Sequence, residues 1–158
     1  MEQLPVFLNL RGRTVVLVGE GEAADAKARL IARAGGRVVP EWQDGATIAF
    51  VALDDDAQAR AAAQALRARG LLVNVVDRPD LCDFTTPAIV DRAPVTIAIG
   101  TGGASAGLAK AVRQRIEALL PARLGAFASA LHAARARSRC APTSACAQSD
   151  SRTRNRAR

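Results

Sequence analysis

The 158-residue sequence is poor in the residues from which disulfide frameworks and metal sites are built. Its three cysteines, Cys82, Cys140 and Cys146, are odd in number and lack C-x-x-C spacing, so neither a disulfide framework nor a zinc site is indicated. His132 is the single histidine, and no cluster of histidine and cysteine predicts a permanently bound metal. We expect free thiols in a reducing compartment.

Long hydrophobic runs are also missing. No apolar stretch approaches the roughly 20 residues that a membrane-spanning helix needs, and residues 1–9 lack the basic and apolar regions of a secretory signal. Hydrophobic residues still make up 49% of the chain, which is enough to bury a core in one domain or one and a half. The composition predicts a cytoplasmic α/β protein without a membrane partner.

Positive charge is concentrated at the C-terminus. The net charge is +7, and residues 132–158 hold seven arginines and one aspartate, a net +6 that leaves +1 for residues 1–131. Large apolar side chains are almost absent after Leu131, so this segment is predicted to be a disordered basic tail. Because no aromatic residue is interleaved for base stacking, no specific nucleic-acid partner is predicted.

The first elements follow an order typical of dinucleotide-binding folds. The apolar run 14–18 leads into the turn 19–24 and then into a helical pattern. The turn matches the G-x-G-x-x-A fingerprint, in which small residues let the backbone approach a pyrophosphate at a helix N-terminus. A tight strand-to-helix turn without a ligand is the alternative. The candidate cofactor-binding residues of the turn are Gly19, Glu20, Gly21, Glu22, Ala23 and Ala24.

Glu41 is the candidate for recognition of the adenine ribose. It lies 20 residues after Gly21, where a Rossmann unit places the acid that holds the ribose hydroxyls, and an acid there favours NAD over NADP. Because Pro40 and Trp42 flank it, a solvated glutamate in a loop is an equally good interpretation.

Strands and helices alternate along the first half of the chain, which predicts parallel βαβ units. After Pro79 the pattern changes to a β-hairpin, a helix capped by Ser105 and a final helix from Pro121. The predicted strands are 13–18, 37–39, 46–52, 71–76, 87–90 and 94–99, and the first two predicted helices are 22–34 and 54–70. The three aspartates 54–56 are predicted to supply the N-cap of the second helix.

Five motifs occur in one order along the chain. They are residues 4–10, the turn 19–24, Val-Asn-Val-Val-Asp at 73–77, residues 84–92 and Thr-Gly-Gly-Ala-Ser at 101–105. Together they resemble precorrin-2 dehydrogenase, the N-terminal half of siroheme synthase. The resemblance covers residues 4–131 and implies NAD-dependent oxidation of precorrin-2 to sirohydrochlorin, in some members followed by insertion of ferrous iron. It also implies a homodimer.

The resemblance also suggests how the chain is divided. A shortened Rossmann-like domain is expected at residues 1–78, followed by a hairpin and helical region for dimerisation and substrate binding at 79–131 and by the basic tail at 132–158. The expected fold class is therefore α/β, with a parallel sheet ahead of a small hairpin and helices.

Asp77 is the catalytic residue that the resemblance implies. Its place after the last apolar residue of a predicted parallel strand agrees with the rule that ligands bind at the carboxyl ends of such strands. A carboxylate there can take a proton from the tetrapyrrole while a hydride leaves to the nicotinamide. An aspartate that caps a turn is the alternative.

Further residues are implied to bind the tetrapyrrole. Hydroxyl groups and open backbone N–H groups at the start of a helix suit a substrate rich in carboxylates, although an ordinary helix cap is the alternative. These candidate residues are Asn74, Thr101, Gly102, Gly103 and Ser105.

The chain departs from the family pattern after Pro40, where only the five residues 41–45 precede the next strand. The family has a further helical stretch and strand at this point, and a parallel crossover ordinarily needs about a dozen residues. We expect a lost edge strand under strain or a different pairing, with weakened NAD binding. A non-catalytic, impaired remnant of the family is therefore the alternative function.

Overall fold

A computed structural model describes residues 3–140. Within this part of the chain, a four-stranded parallel sheet, a two-stranded sheet and four α-helices form an α/β fold, which confirms the predicted fold class. The strands are β1 (Thr14–Gly19), β2 (Arg37–Val39), β3 (Ile48–Ala52), β4 (Leu72–Val75), β5 (Ala88–Arg92) and β6 (Val95–Ile99). The helices are α1 (Glu22–Arg33), α2 (Asp56–Arg67), α3 (Ala106–Leu119) and α4 (Leu124–Cys140), with a 3-10 helix at Pro79–Leu81.

The described residues divide into two compact units. The first comprises residues 3–88 with 99–110, and the second comprises residues 89–98 with 111–140. The boundary predicted after residue 78 falls inside the first unit, because the next segment is bonded to β4. The Asp83 N–H donates to the Val73 carbonyl at 2.8 Å, and the Val73 N–H donates to the Asp83 carboxylate at 2.8 Å.

The four-stranded sheet has the order β2-β1-β3-β4, with every neighbouring pair parallel. On one face α2 packs through Ala63 and Leu66, and on the other α1 packs through Ala24 and Ile31. All five residues of β3 are buried, as expected of a parallel strand covered on both faces. The carboxyl ends of the strands therefore share one edge, between the two helical layers.

The connection between β2 and β3, residues 40–47, is short because its two ends lie at the same height in the sheet. Val39, the last residue of β2, pairs with Val16, and Val16 pairs on its other side with Ala49. The chain crosses two strand spacings, about 10 Å, and its eight residues reach about 27 Å when extended. β2 thus stays paired in parallel with β1, and the strain expected from the sequence does not arise.

Helix starts follow the capping residues that the sequence suggested. The Asp55 carboxylate accepts a hydrogen bond from the Gln58 N–H at 2.7 Å and caps α2. At α3, the Ser105 hydroxyl accepts from the Leu108 N–H at 3.1 Å, which confirms Ser105 as the cap. Among residues 3–140, no helix combines the length and the apolar character needed to cross a bilayer.

The second unit contains most of the predicted hairpin, the part of α3 from residue 111 onward, and α4. Arg92 of β5 donates through Nη1 to the Glu117 carboxylate of α3 at 3.4 Å. A Cβ at Gly125 of α4 would lie 2.1 Å from the Ala93 carbonyl oxygen, so only glycine lets the helix approach the hairpin turn. The hairpin is thus held by both helices.

Helix α4 continues to Cys140, so residues 132–140 are helical where the sequence predicts the start of a disordered tail. Alanine and arginine have high intrinsic helix propensity, and an existing helix extends into such a sequence without large apolar side chains. The rest of the predicted tail, residues 141–158, lies outside the described residues.

Candidate active site

The glycine turn closes β1 tightly and leaves the start of α1 open. At Gly19, with φ 116°, a Cβ would lie 1.9 Å from the Ala52 carbonyl oxygen, so β1 can lie against the end of β3 only with glycine. At Gly21, with φ 88°, a Cβ would meet nothing within 4 Å. No side chain caps α1 there. Its first backbone N–H groups therefore point toward open space.

The predicted cofactor-binding residues of this turn fall into three groups. Ala24 is buried beneath α1, whereas Ala23 lines the open crevice at the edge of the sheet. Glu20 and Glu22 are exposed on either side of Gly21. The open N-terminus of α1 fits a pyrophosphate. The carboxylates of Glu20 and Glu22 would repel the negative charge of that pyrophosphate.

A crevice of about 270 Å³ lies at the carboxyl ends of β3 and β4, beside the start of α1. The chain places β2 on one side of β1 and β3 on the other, so a topological switch point lies next to β1. Open α/β sheets bind their ligands outside the carboxyl ends of the strands at such a point. The residues that line the crevice are Ala23, Ala52, Leu53, Asp54, Val76, Asp77 and Arg78.

Asp77 combines an unusual backbone conformation with an open carboxylate. Its φ of 58° places it in the left-handed region, which aspartate tolerates better than most residues. The residue is exposed at the crevice, and no residue between 3 and 140 donates a hydrogen bond to its carboxylate. The arrangement leaves the carboxylate available as a proton acceptor at the crevice.

Arg78 fixes the rim of the crevice, a role that the sequence analysis missed. Its guanidinium donates to the Leu53 carbonyl at 2.9 Å, to the Asp54 carbonyl at 2.7 Å and to the Asp56 carboxylate at 3.0 Å. Hydrogen bonding from Arg60, reinforced by Arg78, lowers the pKa of Asp56. Arg78 thus ties the end of β4 to the loop after β3.

Asn74 is buried below the crevice. Its side-chain amide donates to the Phe84 carbonyl at 2.8 Å and to the Cys82 sulfur at 3.4 Å. These bonds hold the segment after the 3-10 helix against β4. The structure gives Asn74 a supporting contact, and the predicted contact with substrate stays a prediction.

The loop 101–105 lies beside the 3-10 helix that follows Asp77. A Cβ at Gly103, whose φ is 85°, would lie 3.9 Å from the Pro79 Cβ. The Thr101 hydroxyl donates to the Ser105 carbonyl at 3.1 Å and accepts from the Ser105 N–H at 3.3 Å. Gly102 also has a positive φ, 61°. The loop is therefore near the catalytic candidate, with both hydroxyls engaged in its own folding.

Glu41 is not brought to the glycine turn. β2 ends at Val39, level with Val16, whereas β1 continues three residues further to Gly19. Two contacts show that the chain then runs back toward the amino ends of the strands.

The first of these contacts joins the Trp42 ring and the Arg69 guanidinium, 4.9 Å from ring centroid to Cζ, just ahead of β4. The second joins the Gln43 side chain, which accepts at 3.4 Å, to Arg37 at the start of β2. The chain beside Glu41 therefore turns away from the edge where a dinucleotide would place its adenine ribose, and the role predicted for Glu41 stays a prediction. Residue spacing alone could not reveal this reversal.

Lys27 is a second residue that the sequence analysis missed. Its ammonium nitrogen donates to the Thr86 hydroxyl at 2.7 Å and lies 5.7 Å from the Phe50 ring centroid. Burial lowers its pKa, and electrostatic interactions with Asp77 and Cys82 oppose that shift. Burial also raises the pKa of the Cys82 thiol. The amine of Lys27 is thus held by Thr86 and interacts electrostatically with the catalytic candidate.

Comparison with known proteins agrees with this geometry. A family model described as putative NAD(P)-binding matches residues 36–88. Siroheme synthase of Methylobacillus flagellatus is 38% identical and aligns with 82% of this chain and 34% of its own length. That of Methylococcus capsulatus is 41% identical, with 81% and 33% covered. Among solved structures, SirC, a precorrin-2 dehydrogenase, shares the fold with a TM-score of 0.63 and 20% identity, covering 85% of this chain and 79% of its own.

The chain spans about a third of the length of these siroheme synthases. The alignment with the Methylobacillus protein extends over 159 residues but uses 82% of the 158 residues here, about 130, so the relative carries about 29 residues that this chain lacks. An internally shortened chain agrees with these lengths. By sequence, the chain is a homologue of the N-terminal region of the siroheme synthases.

Proposed function

We propose that this chain catalyses the oxidation of precorrin-2 to sirohydrochlorin, with NAD as the hydride acceptor. The similarity to siroheme synthases and to a precorrin-2 dehydrogenase supports a role in siroheme biosynthesis. The observation that carries the proposal is the Asp77 carboxylate, which is open at the crevice beside the sheet's switch point.

Removal of two hydrogen atoms from a tetrapyrrole takes a hydride and a proton from it. A nicotinamide dinucleotide, when bound, supplies the hydride acceptor. Asp77 takes the proton, because its carboxylate has no donor among residues 3–140 and faces the crevice. Arg78 keeps the backbone on both sides of the crevice fixed, so the base is held in place before the substrate binds.

The pyrophosphate of the cofactor would lie against the backbone at Gly21 to Ala23, where α1 begins without a cap. The carboxylates of Glu20 and Glu22 would weaken that binding. NAD is the cofactor expected from the sequence, but Glu41 lies elsewhere. We therefore expect weak discrimination between NAD and NADP.

Insertion of ferrous iron into sirohydrochlorin is a further activity that we propose for the same site, ranked below dehydrogenation. Residues 3–140 contain no group of three histidine, cysteine, aspartate or glutamate side chains that could hold a metal. Iron would enter as a substrate, with Asp77 accepting the pyrrole protons. We also propose that the chain acts as a cytoplasmic homodimer, which sedimentation of the purified protein tests.

A non-catalytic remnant of the family is the second candidate function. The short β2, the reversal at Glu41 and the shorter length relative to the siroheme synthases favour it. In this case the crevice would bind a tetrapyrrole or nothing, and no hydride transfer would occur.

An anaerobic absorbance assay with precorrin-2 and NAD separates the two candidates. The parent chain is expected to form sirohydrochlorin, and Asp77→Asn is expected to form it at least about 100-fold more slowly while still binding NAD by calorimetry. Calorimetry with NADP runs in parallel. Absence of product with the parent chain, together with absence of NAD and NADP binding, would establish the remnant instead.

A further inference from the structure

Lys27 is a partly buried ammonium group to which the proposed mechanism gives no task. The chain has two lysines, and the other, Lys110, is exposed on α3. An ammonium group away from water needs partners for its three N–H donors. The search for those partners points to a ligand.

The partners of Lys27 are few. One donor goes to the Thr86 hydroxyl at 2.7 Å, and the Phe50 ring lies 5.7 Å from the nitrogen. No carboxylate between residues 3 and 140 lies within the 4.0 Å of a salt bridge with it. Two of its three donors therefore have no hydrogen-bond partner among residues 3–140 and are available to water or to a ligand.

Lys27 lies on the face of α1 that borders the crevice. It lies one helical turn after Ala23, on the same face of α1, and Ala23 lines the crevice. Side chains on a helix lean toward its N-terminus, which here is the crevice end. Asp77 exerts the largest of the charge interactions on the ammonium group, so the two groups share this end of the molecule.

We propose that Lys27 is a substrate-positioning residue that donates to a carboxylate of an acidic tetrapyrrole in the crevice, while Thr86 holds its ammonium group in place. The identity of the ligand rests on the proposed function. The ligand's carboxylate takes up the donors that the protein leaves free, and it anchors the macrocycle beside Asp77. A fixed anchor at one point and a base at another set the orientation in which a proton is removed.

The charge state of Lys27 then governs binding. Burial lowers its pKa from the usual 10.5, while Asp77 from the turn after β4 and Cys82 after the 3-10 helix act to raise it. Binding needs the ammonium form, so affinity is full below this pKa and falls as pH rises through it. A bound carboxylate raises the pKa, so the liganded protein keeps the charge to higher pH.

Binding of uroporphyrin, a tetrapyrrole with eight carboxylates, tests the proposal without catalysis. Followed by fluorescence, Lys27→Met is expected to raise Kd about tenfold, and Lys27→Arg to keep it within threefold. Lys110→Met is the matched control and is expected to leave Kd unchanged. Equal Kd values for the parent and Lys27→Met would overturn the role of Lys27 and leave the proposed function intact. Absence of uroporphyrin binding by the parent chain would overturn the role of Lys27, and the precorrin-2 assay would decide the proposed function separately.

A second measurement needs no variant and covers the case in which Lys27→Met fails to fold. Lysine-selective ¹³C labelling gives two side-chain resonances, one for each lysine. Addition of uroporphyrin is expected to shift the Lys27 resonance and raise its pKa, with Lys110 unmoved. A Lys27 resonance and pKa that stay constant at saturating uroporphyrin would contradict the proposal.

Discussion

The two ends of the sheet's carboxyl edge are built differently. On the β4 side, Arg78 makes two hydrogen bonds to the loop after β3 and one to Asp56 at the start of α2. Asn74 and Val73 of β4 bind Phe84 and Asp83 of the segment that follows. On the β2 side the strand has three residues, and the chain runs back at once. The side that would perform proton transfer is therefore firmly fixed, and the side that would hold adenosine is reduced.

The largest effect is expected from Asp77→Asn on the β4 side. The amide keeps the size and the tolerance of the left-handed conformation but accepts no proton, so kcat should fall by about 100-fold or more. The rate of sirohydrochlorin formation measures this, with urea unfolding as the control for the fold. Activity within threefold of the parent would show that another residue is the proton acceptor.

Gly19→Ala is expected to disturb both sides, because Gly19 joins the end of β1 to β3. Its Cβ would lie 1.9 Å from the Ala52 carbonyl oxygen at a positive φ, so the free energy of unfolding should fall by about 3 kcal/mol. Gly21→Ala is the matched control, since its Cβ meets nothing within 4 Å and only the conformational penalty of about 1 to 2 kcal/mol remains. Equal losses in urea unfolding would refute the steric explanation.

Arg78→Met is expected to loosen the β4 side without removing the base. Loss of its hydrogen bonds to Leu53 and Asp54 should lower the free energy of unfolding by about 1 to 3 kcal/mol. Arg60→Met removes exposed ion pairs with Asp56 and Asp80 and is expected to lower the free energy of unfolding much less, because exposed ion pairs contribute little to stability. Similar values for the two variants in chemical denaturation would argue against Arg78 as the tie between β3 and β4.

Glu41→Gln is expected to have the smallest effect. Because Glu41 lies away from the glycine turn, the ratio of the Kd values for NAD and NADP should change by less than about twofold. Titration calorimetry of both cofactors measures the ratio. A tenfold loss of NAD affinity alone would restore Glu41 as the ribose ligand and show that the β2 side is complete.

The sequence predicted where strands and helix caps lie better than it predicted which distant residues come into contact. Strand β2 at residues 37–39, the cap of α2 and the Ser105 cap all follow from local patterns, because apolar runs and capping side chains act over a few residues. The helical start of the predicted tail was missed because low apolar content was read as disorder, although alanine and arginine favour helix.

The candidate site was predictable only in part. Asp77 follows its strand in sequence, so its place at the carboxyl edge could be derived. Glu41 has the expected spacing from Gly21, but the chain beside it turns back toward Arg69. Sequence spacing does not indicate such a reversal. Lys27 could not be found, because its partner Thr86 lies 59 residues away.

Val39 and Ala49 both pair with Val16, one on each side of β1. This arrangement bears on how a fold tolerates the loss of an internal segment. A segment can be removed from a domain when the two ends to be rejoined are already close in space and no interior pairing depends on it. The outer border of a sheet meets both conditions. Variation in chain length among relatives is therefore expected to gather at this border, and the central strands are expected to remain uninterrupted.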